Sequence, residues 1–339
     1  MGAYVEGGMV NGTVNSKENP LLTVLMPVYN TEPGMLRSAI ESILDQSHRA
    51  FEFLILDDGS ENQGTRSFLE QFARKDHRIR ICWEPHRGLT QTLNRGLELA
   101  RGTWIARQDA DDWSAYRRLE RQVEFFTRHS EAVLCGTQAA MHRADGRSLW
   151  PTRLPAFAAD ISAAFPRGNP FVHGSTMFRT AAARAIGGYR EEFPCAQDYD
   201  FFWRLSELGE VRNIDAVLYH YRFTPNAVSA RRAADQARAH CAAGILASAR
   251  KTGGEMSIAE ALERARLQQS DPASILRAAL KQADHRMLAG DYWGAASAFA
   301  SLAFRHPASL LAWGKLARFA VYALLPPARQ ACFREAYSR

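Results

Sequence analysis

Four apolar runs, each closing on polar residues and each separated from the next by a helical pattern, limit what this chain can fold into. Leu21 to Val28 (LLTVLMPV), Phe51 to Leu56, Ile79 to Trp83 and Trp104 to Ala106 are too continuous for half-exposed strands, which alternate apolar with polar, so they need cover on both faces. The segments between them supply it. Met35 to Gln46 sets Leu36, Ile40, Ile43 and Leu44 on one helical face, the next helix carries Phe68, Leu69 and Phe72, and a third spans Thr90 to Ala100 with Gly102 expected to terminate it. Such alternation predicts an α/β fold, a mostly parallel sheet sandwiched by helices. In a sheet of this kind the ligand site lies beyond the carboxyl ends of the strands. Tyr29 and Asn30, Asp57 and Asp58, His86 and Arg87, and Asp109 to Asp112 follow the four runs in turn, so they are expected to meet at one rim.

Further on, the pattern predicts a helix over Arg117 to Thr127 and a strand near Ala132 to Thr137. Pro151, Pro155, Pro166 and Pro170 then punctuate a loop-rich stretch. Phe171 to Phe178 (FVHGSTMF) reads as a strand, Ala181 to Ile186 as a helical turn closed by Gly187-Gly188, Tyr199 to Leu208 as a helix preceded by Asp198, and Ile214 to Tyr221 as a last strand. From about Ala233 the chain is nearly all helix. The expected organisation is therefore a loose leader over 1–20, a sheet domain over 21–230 and a helical region over 231–339.

Within that helical region, Gly290-Asp291-Tyr292 followed by Ala295, Ala296, Phe299 and Pro307 resembles part of a tetratricopeptide-type hairpin, although no second copy recurs at a fixed period. Leu310 to Leu325 groups Trp313, Leu316, Phe319 and Ala320, is interrupted by Lys315 and Arg318, and ends at Pro326-Pro327. It reads either as a helix packed on the sheet domain, which is favoured, or as an amphipathic helix lying on a membrane.

Composition narrows the class. With 339 residues, 46% hydrophobic and 23% charged, the chain has the make-up of a globular protein. No apolar run reaches the roughly 18 residues a membrane span requires. The 42 basic and 36 acidic side chains are unevenly placed: residues 1–230 hold 26 and 28, residues 231–339 hold 16 and 8. A basic C-terminal part suits an anionic lipid face or an acidic acceptor, and equally a set of solvated helix faces. The five cysteines are scattered without any CxxC spacing, which argues against a disulfide framework or zinc site and suits a reducing cytoplasm, at most the inner face of its membrane. Asn11-Gly12-Thr13 matches a glycosylation acceptor by form, but residues 1–20 lack the basic start and apolar core of a signal peptide, so the match is taken as chance.

The acidic turn WIARQDADDW (Trp104 to Trp113) crowds Asp109, Asp111 and Asp112 at the end of a buried strand. Carboxylates placed so closely repel unless a cation or hydrogen bonds offset them, and the oxygen-loving cations that also grip phosphates are Mg²⁺ and Mn²⁺. The bland alternative is a polar turn in which one Asp caps a helix.

Taken together, PVYN (Pro27 to Asn30), ILDDGS (Ile55 to Ser60), the Asn94-centred helix, DADD (Asp109 to Asp112), HGS (His173 to Ser175) and QDYDFFWRL (Gln197 to Leu205) resemble the family 2 glycosyltransferases, inverting enzymes of the GT-A fold that use nucleotide-activated sugars. The resemblance covers about residues 20–230. It implies a nucleotide site in which Pro27 and Tyr29 line the base, Asp58 accepts from a uracil N–H, Arg87 contacts base or phosphate and Asp109 approaches the ribose. It further implies a divalent metal, Mn²⁺ or Mg²⁺, held on the diphosphate by Asp111 and Asp112, the latter able to exchange roles with its neighbours. Asp198 occupies the position of the general base that takes the acceptor's proton. His173, Gly174, Trp203, His220 and Arg222 are candidate contacts to acceptor or donor sugar; for His173 and Trp203, burial in the core is the competing role.

Two departures stand out. Gln197 replaces the Glu usual before the catalytic Asp, and Thr224 stands where many relatives carry His, leaving His220 or Arg222 to compensate. The implied activity is sugar transfer from a UDP-sugar to a saccharide or lipid-linked acceptor, without nucleic acid. A sugar-phosphate nucleotidyltransferase would want a Gly-rich basic loop where PVYN stands. A non-catalytic nucleotide-sugar-binding or scaffold protein is disfavoured by the joint retention of Asp58, Asp109, Asp111 and Asp198, and NAD chemistry by the lack of a GxGxxG after a strand.

Overall fold

Strand β1 (Leu22–Val28) has all seven residues buried, because it lies between β2 (Glu52–Asp58) and β4 (Trp104–Arg107), parallel to both. Beyond β2 comes β3 (Ile79–Glu84), whose partly exposed residues mark the sheet edge. The computed structural model describes residues 22–193, 195–224 and 232–324; the expected leader, the helix end at Pro326-Pro327, and Cys332 lie outside the described residues. The remaining strands are β5 (Trp113–Ser114), β6 (Ala132–His142), β7 (Ser148–Pro151), β8 (Met177–Arg179) and β9 (Glu210–Arg222), giving the order β3-β2-β1-β4-β8-β6-β9-β5 with β7 on β6. The parallel sheet expected from the sequence is confined to β3-β2-β1-β4. β8 runs antiparallel to β4 and β6, and β5 antiparallel to β9. Parallel neighbours need helical crossovers, which stop after β4.

The crossover helices are α1 (Pro33–Leu44), α2 (Gln63–Lys75) and α3 (Leu89–Leu99). Helix α1 starts where Pro33 presets the first turn and the Glu32 carboxylate accepts from Met35 N; it buries Leu36, Ala39, Ile40 and Ile43 on one stripe. Leu36, Ile40 and Ile43 each contribute about 1.5–3 kcal/mol by leaving water. Helix α3 ends at Ala100, so Gly102 is not its terminator. Gly102 lies against β1, where an added Cβ would sit 2.4 Å from Thr23 N, and its own N–H donates to Thr23 Oγ1.

After α4 (Arg118–Arg128) come the short α5 (Ala158–Ala164) and α6 (Thr180–Ala185), then α7 (Gln197–Ser206). The strand expected over Phe171 to Phe178 is largely absent. His173–Ser175 forms a 3₁₀ turn because Ser175 Oγ donates to Val172 O and Thr176 Oγ1 to His173 O, leaving only β8 extended. Helix α7 starts two residues before the expected Tyr199, which puts Asp198 inside its first turn instead of ahead of it.

Two compact units result: residues 22–139 with Arg153–Glu191 and Asp200–Tyr221, and Ala140–Thr152 with Glu192–Tyr199 and the residues from Arg222 onward. The second contains α8 (Ala233–Lys251), α9 (Ile258–Gln268), α10 (Pro272–Ala289), α11 (Tyr292–Arg305) and α12 (Leu310–Leu324). Its core joins Leu276, Leu280 and Met287 of α10 to Phe299 of α11 and Phe319 and Tyr322 of α12. Gly290, in the left-handed conformation (φ 91°), closes α10, and Asp291 then caps α11 through Gly294 N. Among the described residues Cys82, Cys135, Cys195 and Cys241 are free, and no helix is long and apolar enough to cross a membrane.

Candidate functional site

In the parallel part of the sheet, Val28 is in register with Asp57, Asp58 with Glu84 and Leu25 with Arg107, so the turns after β1 to β4 open at one edge. Pro27 fits inside a central strand because the ladder from β1 to β4 has ended at Leu25, whose carbonyl takes Gln108 N. The missing N–H of Pro27 falls beyond it. Asn30, in the left-handed region (φ 47°), ties the first turn to the second: its N–H donates to Ser60 Oγ, and its Oδ1 accepts from Glu61 N and Asn62 N.

Asp58 is 3% exposed. Its Oδ1 accepts from Arg87 N at 2.8 Å and its Oδ2 from Gly88 N at 3.0 Å, while His86 Nδ1 stands 2.9 Å from Oδ2. Since Gly88 precedes α3, the carboxylate sits at that helix's positive end, where a negative charge is favoured. The His86 ring, so held, stacks on Tyr29 with centroids 4.1 Å apart and planes 18° from parallel, and Tyr29 remains 43% exposed. Asp58 and Arg87 border a cleft of about 330 Å³ with Glu84, Gln91 and Arg95. Tyr29, Asp58 and Arg87 are thus brought together.

The acidic turn is held from beneath. Arg107, the last residue of β4, is fully buried; its Nη2 donates to Asp109 Oδ1 at 2.5 Å and its Nη1 to Leu25 O and Gln108 O. Gln108 spans the turn, donating to Asp109 O and Asp112 O and accepting from Ser114 Oγ. Asp109 remains 27% exposed at the side chain and Asp111 is half-buried, whereas Asp112 is 1% exposed and accepts the Tyr219 hydroxyl at 2.9 Å. That hydroxyl also accepts from Asp109 N. Burial, with Asp112 and Asp109 nearby, pushes the Tyr219 phenol well above its ordinary range, so it stays a donor. Arg118, wholly buried, donates from Nη1 to the carbonyls of Arg107 and Gly174; desolvation lowers its pKa to about 10, which leaves it charged at neutral pH.

His173 belongs to this support. Its Nε2 lies 3.3 Å from Arg107 Nε and 3.0 Å from the Tyr189 hydroxyl. A guanidinium only donates, so Nε2 accepts and the ring is neutral, in keeping with a pKa driven well below the usual value by burial and by Arg107. Asn94 fixes Tyr189 in turn, donating to its carbonyl and accepting from its N–H. Gly174 is there for space: an added Cβ would lie 2.0 Å from the Tyr219 hydroxyl and 2.5 Å from Asp109 Oδ2.

Trp203 stacks on Phe165 with centroids 5.1 Å apart, and His220 lies flat on Trp113, 4.9 Å away and 3° from parallel. Helix α7 is anchored by Asp200, which pairs with Arg190 and Arg204. Asp198 and Arg222 belong to the second unit, where Asp198 is among the charges around the Cys195 thiol. The sequence patterns passed over Arg107, Gln108, Arg118, Tyr189 and Tyr219. The one available signal was an Arg-Gln pair ending an otherwise apolar buried strand. Among the described residues no three His, Cys, Asp or Glu side chains are grouped to hold a metal by themselves.

The profile of glycosyl transferase family 2 matches residues 23–187, which include the first three turns and the acidic turn. EpsE of Bacillus subtilis, a putative glycosyltransferase, is 34% identical over 221 residues, 62% of this chain and 76% of that protein. The y4gI protein of Sinorhizobium fredii is 31% identical over 66% of this chain, which spans only 25% of its length. Two solved structures share the fold: S. aureus TarS 1-349 in complex with UDP-GlcNAc (TM-score 0.55, 17% identity, 94% and 91% of the two chains) and the mannosyltransferase PcManGT of Pyrobaculum calidifontis in complex with GDP-Man and Mn²⁺ (0.53, 18%, 95% and 86%). A third of the residues identical across three quarters of EpsE, on a GT-A-like sheet, make this chain a member of glycosyl transferase family 2.

Proposed function

We propose that the chain is an inverting glycosyltransferase that moves a sugar from a nucleotide-sugar donor, a UDP-sugar first, to a hydroxyl of a saccharide or lipid-linked acceptor. What carries this is the rim of the parallel sheet, where Tyr29 stacks on the His86 that Asp58 holds, Asp58 and Arg87 border one cleft, and Asp109 and Asp111 reach solvent from a turn whose other side chains are tied down. Nucleotide sugars in the TarS and PcManGT complexes support the donor class, one with uridine and one with guanosine.

Tyr29 offers its exposed ring to a base beside Pro27, and Arg87 offers a cation above the Asp58-braced loop. A divalent ion on a diphosphate takes most of its ligands from phosphate and water and needs only one or two protein carboxylates. Asp111, aided by Asp109, meets that demand, and the Mn²⁺ in the PcManGT complex agrees with it. Asp112 we assign to bracing the turn through Tyr219, not to the metal. Bound there, the ion would neutralise charge developing on the departing nucleoside diphosphate. Asp198, in the first turn of α7, is assigned to removing the acceptor's proton. Gly174 lets the backbone pack close against Tyr219 and Asp109, while His173 works through Arg107. His220, Trp203 and Arg222 remain assigned to sugar contacts. The helical C-terminal region is assigned to peripheral association with the inner face of a membrane.

Turnover of a panel of UDP-, GDP- and dTDP-sugars with Mn²⁺ present tests the proposal. Release of UDP from at least one UDP-sugar, accelerated by an acceptor, is expected. No turnover and no binding across the panel would sink it.

A further inference from the structure

We infer that Arg107 is a positioning residue that makes the acidic turn accept a divalent cation only together with a nucleoside diphosphate; this rests on the assignment of Asp109 and Asp111 above. The guanidinium is 0% exposed and cannot swing away, because Nη1 is bound to two carbonyls and Nε to His173, itself held by Tyr189. One oxygen of Asp109 is therefore taken before any ligand arrives. Asp112 is closed off by Tyr219 at 1% exposure. Beneath the turn lies a second guanidinium, Arg118, whose Nε and Nη2 are buried without a hydrogen-bond partner, so its charge is not cancelled locally.

The charge balance follows. Three carboxylates and two buried guanidiniums leave the turn and its support with a net charge of about −1, too little to strip water from a divalent ion, which dehydrates reluctantly. A nucleoside diphosphate brings further negative oxygens to the same edge and completes the ligand set. An acidic cluster without such arginines would load the ion first and the nucleotide second. Here the two enter as one, and Arg107 enforces the order by both its charge and its grip on Asp109.

The test uses the full chain, with free Mn²⁺ followed by its electron paramagnetic resonance signal, titrated with and without UDP. For the wild type, Mn²⁺ alone binds weakly and at least tenfold more tightly with UDP. Arg107→Gln binds Mn²⁺ alone about tenfold more tightly than wild type and loses most of the gain from UDP. Arg107→Lys restores the charge and with it the weak binding of Mn²⁺ alone, a rescue that mere structural damage would not give. Tight binding of Mn²⁺ to wild type without UDP overturns the inference, as does an unchanged affinity in a folded Arg107→Gln. If Arg107→Gln does not fold, the wild-type titration and Arg107→Lys still decide. Failure of UDP to bind wild type at any Mn²⁺ concentration is a different result, and it strikes the proposed function itself.

Discussion

Arg107 and Asp109 form an ion pair across the rim, the guanidinium fully buried and the carboxylate a quarter exposed. Taking one partner away from such a pair costs more than the pair contributes, because the survivor's charge is left where water does not reach. Asp109 can turn toward solvent and Arg107 cannot. Asp109→Asn should thus destabilise the protein by strandng the buried cation, in addition to lowering donor affinity. A fall in melting temperature larger for Asp109→Asn than for Asp111→Asn checks this; equal falls would deny the pair its structural part.

Gly174→Ala is expected to cut turnover at least tenfold and to lower stability by about 1–3 kcal/mol, the usual cost of forcing a methyl into a packed site. The Cβ would meet the Tyr219 hydroxyl at 2.0 Å and Asp109 Oδ2 at 2.5 Å, and both are anchored elsewhere. Steady-state kinetics with denaturant unfolding read both effects. A fully active and stable Gly174→Ala would show that the turn yields freely.

Asp198→Asn should lower kcat by about 10²–10⁴, the range for loss of a general base, while UDP binding stays within a few fold. Calorimetric titration beside kinetics separates the two. Parallel loss of binding and turnover would make Asp198 part of the scaffold. Chelation gives the companion result: EDTA stops turnover and Mn²⁺ or Mg²⁺ restores it, and activity indifferent to EDTA removes the metal from the reading.

The strand-and-helix alternation of the first hundred residues was legible because fully covered parallel strands write continuous apolar runs. The antiparallel half was not, since β8 keeps only three residues and the Ser175 and Thr176 hydroxyls pull the preceding segment into a 3₁₀ turn. Candidate ligands were legible as polar residues at strand ends. Their supports were not, because Arg107, Tyr189 and Tyr219 act through contacts 16 to 110 residues away that carry no spacing signal. His173 shows the difficulty: an HGS motif reads as a ligand contact, yet the ring is committed to Arg107.

Acid should destabilise the helical unit before its carboxylates titrate. His240, tilted against Tyr199 with centroids 4.5 Å apart, has its pKa lowered to about 4 by burial and then by Lys281. The unfolded chain takes a proton near pH 6.5 and the folded one only near 4, so stability is full above pH 6.5 and falls as pH drops through that window, by on the order of 3 kcal/mol in all. His142 and His285, also lowered by burial, act in the same direction. Melting temperatures from pH 7 to 4 should fall less steeply in His240→Phe, which keeps a ring against Tyr199. Identical slopes would remove His240 as a cause.

Helix α12 has two apolar faces, and among the described residues only one is packed. Phe319 and Tyr322 join the core with Ala312, while Leu310, Trp313, Ala317, Val321 and Leu324 recur every three or four residues on the other side, with Leu310 89% and Leu324 85% exposed. Phe304 of α11 packs edge-on against Trp313 and extends this stripe. Neither helix contains Asp or Glu, and together they carry Arg305, Lys315 and Arg318, of which Lys315 is paired with Asp284 of α10. A second copy of the chain would bring the same cations to the stripe, whereas an anionic bilayer offers acyl chains to Trp and Leu and headgroups to Arg. The full chain should therefore sediment with vesicles containing phosphatidylglycerol and much less with phosphatidylcholine alone, with binding weakened by salt. Leu310→Ser with Trp313→Ser should reduce it at least tenfold while leaving UDP binding unchanged. Failure to sediment with either vesicle would take the membrane out of this protein's function, and a lipid-free dimer abolished by the same double variant would give the stripe to a second copy instead.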